Sequence, residues 1–345
     1  MRQNPPALPA PSSEAELELQ LSAPDDATVA ALGALSGDII VLGAGGKMGP
    51  TVARMARRAL GDSKRRVIAV SRFSDARAAA ELEAHGVVIV RADLADLRAV
   101  AALPDAENVL WMAGQKFGTS GDPVATWSGN VVTAVHAAER YAGSRIVCFS
   151  TGNVYARTSL ASGGSREADT LAPEGDYAAS CVGRERVFEA VARRTGSPLL
   201  LFRLFYACDL RYGVVTDIAL KVLQRQPVSL AMSHANTIWQ GDANRLALRS
   251  LSVAASPALA LNVTGPIASV RHIAETVGRI AGIEPEFVGS ASDDALLANV
   301  DGLSRTLPYS GMPLETLCEW TVSWIQQGGH LLGKPTKFET RDGKF

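Results

Sequence analysis

The sequence predicts an α/β protein, a doubly wound parallel sheet followed by a smaller C-terminal substrate-binding region. Two observations carry that prediction. From Gly37 to about Leu204, short and nearly continuous apolar runs alternate with stretches of helical period, the pattern of strands buried on both faces and joined by right-handed crossover helices. The first of those runs passes directly into Gly43-Ala44-Gly45-Gly46-Lys47-Met48-Gly49 and then into an amphipathic helix. Beyond Leu204 the alternation breaks into helices and short extended pieces, which places the ligand-capping part there.

Taken in order, residues 1–36 form an appendage with no assigned chemistry. Pro5, Pro6, Pro9 and Pro11 make an extended arm, and residues 14–21 and 25–35 have helical character. The dinucleotide-binding unit spans 37–204, with strands expected at 38–42, 67–71, 87–90, 108–112, 145–150 and 198–204. Its helices are expected near 47–60, 75–84, 94–102, 123–141 and 177–195. Residues 205–330 form the substrate side, with helices near 213–224, 242–253, 270–281 and 313–327. The tail, 331–345, carries Lys334, Lys337, Arg341 and Lys344 against Glu339 and Asp342 and reads as a solvated strap.

Composition excludes several classes. With 345 residues, 47% hydrophobic and 20% charged, the chain is globular, not disordered or fibrous. Its 34 Lys and Arg against 35 Asp and Glu leave a net charge of −1, so no bulk attraction to nucleic acid or to an anionic membrane is expected. No apolar run approaches the roughly 20 residues of a membrane span, and no secretory core follows Met1. Cys148, Cys181, Cys208 and Cys318 are widely spaced, and the five histidines lack metal spacing with Cys, Asp or Glu. A reduced, cytoplasmic protein with no metal is the expectation.

The glycine segment is the first chemical signal. Glycine is required where a strand turns sharply into a helix, and where backbone N–H groups approach a diphosphate at the positive end of that helix. A glycine cluster alone is weak evidence. One that follows a strand, opens a helix and begins a βαβ unit points to a dinucleotide, held by Gly43, Gly45, Gly46, Lys47, Met48 and Gly49. At the end of the second strand an acid would bind the ribose 2′-OH of NAD, whereas an arginine suits the 2′-phosphate of NADP. Here Ser71 stands at the acid's place and Arg72 follows, with Lys47 as a further cation. That favours NADP, with NAD as the alternative. Asp93 and Leu94, after the third strand, are placed to meet the adenine, though Asp93 also suits a helix N-cap.

Together with later segments, these features resemble the extended short-chain dehydrogenase/reductase family, in particular its NAD-dependent epimerase/dehydratase group, over about residues 37–328. Gly43, Gly46 and Gly49 fall on the family's glycine pattern. Met112-Ala113-Gly114-Gln115-Lys116 is similar to the segment lining the nicotinamide side, and Ser128-Gly129-Asn130-Val131 to the helix start that carries a characteristic asparagine. Phe149-Ser150-Thr151 matches the strand delivering the catalytic Ser/Thr, and Pro173 to Ser180 the approach to the catalytic tyrosine. Arg203-Leu204-Phe205-Tyr206, Gly241-Asp242-Ala243 and Asn262-Val263-Thr264-Gly265 are similar to substrate-side segments. The resemblance implies a Rossmann domain, a sugar-like substrate and cofactor contacts at Ala113, Gly114, Asn130 and Cys181. It also implies catalytic roles for Tyr177, which exchanges a hydroxyl proton, and for Thr151, which hydrogen-bonds the same oxygen. Helices near 123–141 and 177–195 correspond to those that pair in the family's homodimers.

One departure stands out. The family carries Tyr-x-x-x-Lys, and the fourth residue after Tyr177 is Cys181. Residues four apart share a helix face, so the lysine ammonium normally lowers the phenol's pKa from about 10. A thiol cannot do this. Three readings stay open: Lys116 supplies the missing cation, the enzyme works without a strongly activated tyrosine, or the chain is a non-catalytic NADP-binding sensor or regulator. Arg184 and Arg186 look like poorer substitutes, because Arg184 lies two turns beyond Tyr177. Arg203 and Arg211 are candidates to hold an anionic substrate group or else form internal ion pairs. Trp239 lines the substrate cleft or packs in the core.

Overall fold

The strands β1 (Ile39–Leu42), β2 (Val67–Ser71), β3 (Val88–Arg91), β4 (Asn108–Trp111), β5 (Arg145–Thr151), β6 (Leu199–Leu204) and β7 (Leu259–Val263) form one parallel sheet in the order β7-β6-β5-β4-β1-β2-β3. This computed structural model describes residues 9–116, 121–334 and 336–341, so Pro5, Pro6, Asp342 and Lys344 of the sequence reading lie outside it. The continuous apolar character of the strands follows from the two-residue period of their side chains. Ile39, Val41, Val67 and Ala69 enter one core, and Ile40, Leu42, Ile68 and Val70 enter the other.

The helices are α1 (Glu14–Leu21), α2 (Asp26–Gly33), α3 (Gly49–Leu60), α4 (Ala76–Ala84), α5 (Leu97–Ala101), α6 (Pro123–Trp127), α7 (Thr133–Arg140), α8 (Gly175–Thr195), α9 (Val214–Leu223), α10 (Gln240–Val253), α11 (Val270–Ala281), α12 (Asp301–Thr306) and α13 (Leu314–Gln326). α3 and α10 cover one face of the sheet through Val52, Met55, Leu246 and Leu251. α7 and α8 cover the other through Ala134, Ala137, Phe188 and Val191. Between α6 and α7 the chain widens into a π-turn, Ser128–Val132, a local change that recurs at functional positions.

Two parts differ from the sequence reading. The seventh strand lies in the region assigned to the substrate side. The crossover from β6 to β7 runs through α9 and α10 and several short strands, which erases the strand–helix rhythm that marks the first six. The described part of the tail, 331–334 and 336–341, is anchored and not a solvated strap: Phe338 is buried, Thr336 donates from Oγ1 to Asp217 Oδ2 at 2.6 Å, and Arg341 pairs with Asp294 at 2.5 Å. Residues 9–36 of the appendage pack on the main body. Leu17, Leu21 and Leu32 are fully buried, and Asn244 Nδ2 bridges Leu21 O and Thr51 Oγ1 at 2.9 Å each. No described helix is long and apolar enough to cross a membrane.

Candidate active site

A cavity of about 260 Å³ opens at the carboxyl ends of β1, β4, β5 and β6, beside the point where the strand order reverses. Ligands of doubly wound sheets bind there. The glycine loop forms one wall. Gly43 has φ +88°, and a methyl group on it would come within 2.5 Å of Ala113 N; one on Gly49 would meet Ala44 O at 2.5 Å. Backbone that close leaves the first amides of α3 open to a phosphate-bearing ligand. Gly45 faces Ser71, Gly46 lines the cavity, and Met48 is half-buried at the start of α3. These residues fit a dinucleotide.

Tyr177, Thr151 and Lys116, from three different elements, line the same cavity. β5 ends at Thr151, whose Oγ1 accepts from Asn153 N at 3.2 Å. Tyr177 lies in the first turn of α8 with its hydroxyl in hydrogen-bonding reach of Thr151 and of the Cys181 thiol. Burial pushes the phenol well above its ordinary range, Cys181 adds to that, and the positive charge of Arg184 pulls it back in part. Lys116 is held down to about 8 by burial, against the opposing pull of Cys181 and Asp217.

Arg184 is the residue that sequence reasoning passed over. Its guanidinium reaches back along α8, Nη2 donating to Cys181 Sγ at 3.3 Å and Nη1 to Ala113 O at 3.3 Å and Asn130 Oδ1 at 3.4 Å. It is 5% exposed, and its Nε has no hydrogen-bond partner. Helical side chains lean toward the N-terminus, so a long arginine covers the turn before it. Counting turns between Cα atoms underestimates that reach. Gly114 makes room, since a methyl group there would sit 2.6 Å from Arg184 Nη1. Asn130 fixes the loop after β4, accepting from Gln115 N at 2.9 Å and donating to Gln115 O at 3.0 Å and Ser180 Oγ at 2.9 Å.

Other candidates lie elsewhere. Lys47 turns away from the end of β2 and into the cavity, donating to Ala207 O at 3.2 Å with its ammonium 4.0 Å from the centre of the Tyr212 ring. It therefore adds no cation beside Arg72, which is exposed next to half-buried Ser71. Asp93 is exposed and accepts from Ala95 N at 2.9 Å; the N-cap of α5 is Asp96 instead. Leu94 is buried in the core beside α7. Arg203 is not a cavity residue. It forms a two-point pair with Glu185 (3.0 and 2.8 Å) and donates to Tyr155 OH at 2.5 Å, while Glu185 also accepts from Ser150 Oγ at 2.5 Å. Arg211 pairs with Asp209 at 2.7 Å and with Glu18 of α1 at 2.8 Å, which ties the appendage down. Trp239 is 3% exposed and packs edge-on against Trp320 in the second core. Among the described residues no group of His, Cys, Asp and Glu has the geometry to hold a metal ion.

Residues 39–233 match the NAD dependent epimerase/dehydratase family. The chain belongs to that family. Solved structures share the fold. MoeE5 in complex with UDP-glucose and NAD is 22% identical, covering 85% of this chain and 99% of its own with a TM-score of 0.67. The UDP-glucuronic acid 4-epimerase from Bacillus cereus, in complex with UDP-glucuronic acid and NAD, is 19% identical over 84% and 99% with a TM-score of 0.69. The UDP-Glc/GlcNAc 4-epimerase from the human pathogen Campylobacter jejuni is 17% identical over 85% and 100% with a TM-score of 0.68. No curated protein sequence matches the chain.

Proposed function

We propose that this member of the family is an oxidoreductase of the epimerase/dehydratase type acting on a sugar nucleotide or related sugar derivative. The observation that carries the reading is the meeting of Tyr177 and Thr151 over a cavity walled by the glycine loop. A nicotinamide dinucleotide held in this cavity would supply hydride transfer from and back to a substrate carbon. The glycine loop at the start of α3 would hold its diphosphate, and Ala113 and Gly114 would border its nicotinamide end, with Asn130 of the π-turn and Cys181 of α8 behind them. Tyr177 takes the proton of the substrate hydroxyl, and Thr151 hydrogen-bonds the oxygen as it becomes a carbonyl. With Cys181 at the lysine's place, positive charge near the phenol comes from Arg184 through its contact with that thiol, and from Lys116 across the cavity.

NADP is the form favoured by Arg72 beside Ser71 at the end of β2; NAD, which MoeE5 and the Bacillus cereus epimerase hold, is the alternative. Exposed Val124, Trp127, Val132 and Val135 on α6, the π-turn and α7 supply an apolar face for a homodimer; sedimentation of a monomer at micromolar concentration overturns it. The second reading is a non-catalytic dinucleotide sensor, favoured by the thiol at position 181. Quenching of protein fluorescence by NADH and NADPH, followed by product analysis with UDP-glucose and UDP-glucuronate, separates the two. Turnover abolished by Tyr177→Phe supports the enzyme, whereas tight cofactor binding without product supports the sensor.

A further inference from the structure

The wall of the main cavity includes one residue of the C-terminal segment, Thr336, which is buried. Asn153, Tyr206 and Leu296 line both this cavity and a second, smaller one of about 40 Å³. Lys337 and Thr340 of the same segment line the second. Residues 336–341 therefore run past both cavities. Their fastenings are mostly polar. Thr336 donates from N and Oγ1 to Asp217 Oδ2 of α9 at 2.8 and 2.6 Å, and Glu339 pairs with Lys221 of the same helix at 2.5 Å. Arg341 pairs with Asp294 at 2.5 Å and donates to Ala231 O at 3.0 Å, while Arg157 donates to Arg341 O at 3.0 Å. Both ion pairs are partly exposed on each side chain, and pairs open to water hold weakly. Phe338 is the one apolar anchor, buried in the second core. Lys337, between the two buried residues, has φ +55°, a left-handed conformation that strains any residue but glycine. One apolar anchor, water-exposed ion pairs and a strained residue describe a segment that opens locally before the core does.

We propose that residues 336–341 are a lid on the cavity. Closed, they complete its wall with Thr336. Released from Asp217, Lys221 and Asp294, they open a way to Tyr177 for the substrate. The order of entry rests on the cofactor reading above: Gly46 and Lys47 are the exposed part of the cavity wall, and a dinucleotide on the glycine loop would cover that approach, which leaves the substrate the side where Thr336 stands. The opening itself rests only on the contacts of the segment.

Two measurements on the full chain test this. In native-state hydrogen exchange read by mass spectrometry, peptides covering 336–341 should exchange at least about tenfold faster than those of β5 and β6. Equal rates overturn the lid. In the second, protein saturated with NADH is treated with sulfo-N-hydroxysuccinimide acetate, and acetylation of Lys116, which lines the cavity, is followed by mass spectrometry. Arg341→Met and, separately, Phe338→Ala should each raise that rate about fivefold by enlarging the open population, with exchange in β5 and β6 unchanged. Labelling at the wild-type rate in both variants overturns the lid, as does labelling that rises only together with exchange in β5 and β6, which would mean general loosening of the fold. Failure of NADH to bind sinks the cofactor reading instead, and the exchange rate of 336–341 then decides the lid without it.

Discussion

The Arg184 guanidinium rests on the Cys181 thiol, Nη2 to Sγ at 3.3 Å, one helical turn below Tyr177. On the proposed reading, in which Cys181 stands at the lysine's place, positive charge returns to that helix face from a residue three positions further on. Arg184→Met should remove its downward pull on the phenol and move the rising limb of the pH–rate profile upward by about one unit, or about 1.4 kcal/mol. Arg184→Lys should retain most of the wild-type limb. A purely structural role would lower activity in both variants without moving the limb.

A lysine placed four residues after Tyr177 should fail by itself. Cys181→Lys sets an ammonium against the Arg184 guanidinium in a site where both groups are buried, and like charges there repel strongly. The single variant should melt well below wild type. Cys181→Lys combined with Arg184→Ala should recover most of the loss, and the non-additivity measures the coupling. Additive losses would show that the two positions do not interact.

The pair formed by Arg203 and Glu185 is a matter of stability. Both side chains are almost fully buried, at 5% and 0% exposure, so removing either partner strands the other charge. Glu185→Gln or Arg203→Met should each cost about 3–5 kcal/mol in urea unfolding. The surviving folded fraction should bind cofactor with wild-type affinity, since neither side chain lines the cavity.

Stability should pass through a maximum on the alkaline side. Lys47 and Lys116 sit near 8 in the fold and near 10.4 when unfolded. Between about pH 8 and 10 the unfolded chain therefore binds more protons, and stability rises with pH. Above about pH 10 the sign reverses, because burial holds Tyr177, Tyr206 and Tyr212 above their unfolded values. Urea midpoints of the ligand-free protein from pH 7 to 11 check this, and a variant with both lysines changed to methionine should lose the rise.

The first six strands were legible because each apolar run is bounded by a helical stretch, and the glycine loop because its position between β1 and α3 is local information. β7 was not, since its pairing with β6 spans the whole of α9 and α10. The cavity residues show the same division. Thr151 and Tyr177 sit on recognisable segments, but the direction of a side chain is a tertiary fact. Lys47 points to Tyr212 instead of Arg72, and Arg184 points down its helix to Cys181. For Arg203 and Arg211 the sequence left an anion-holding role and an internal ion pair both open, because their acids, Glu185 and Asp209 with Glu18, acquire meaning only once the chain has folded around them.

The widened turn at Ser128–Val132 has a consequence for any shortening of this chain. Deleting one residue there would let ordinary i to i+4 bonding resume and lengthen an unbroken helix, which a circular dichroism spectrum would register as an improvement. Everything on the N-terminal side would meanwhile rotate by about 100°. Asn130 would release the strand-end loop it clasps, and Trp127 would leave Asp176, which its Nε1 reaches at 2.9 Å. The bulge acts as a phase adjuster: it trades regularity in one helix for the alignment of an inward-facing amide with an outward-facing apolar stripe.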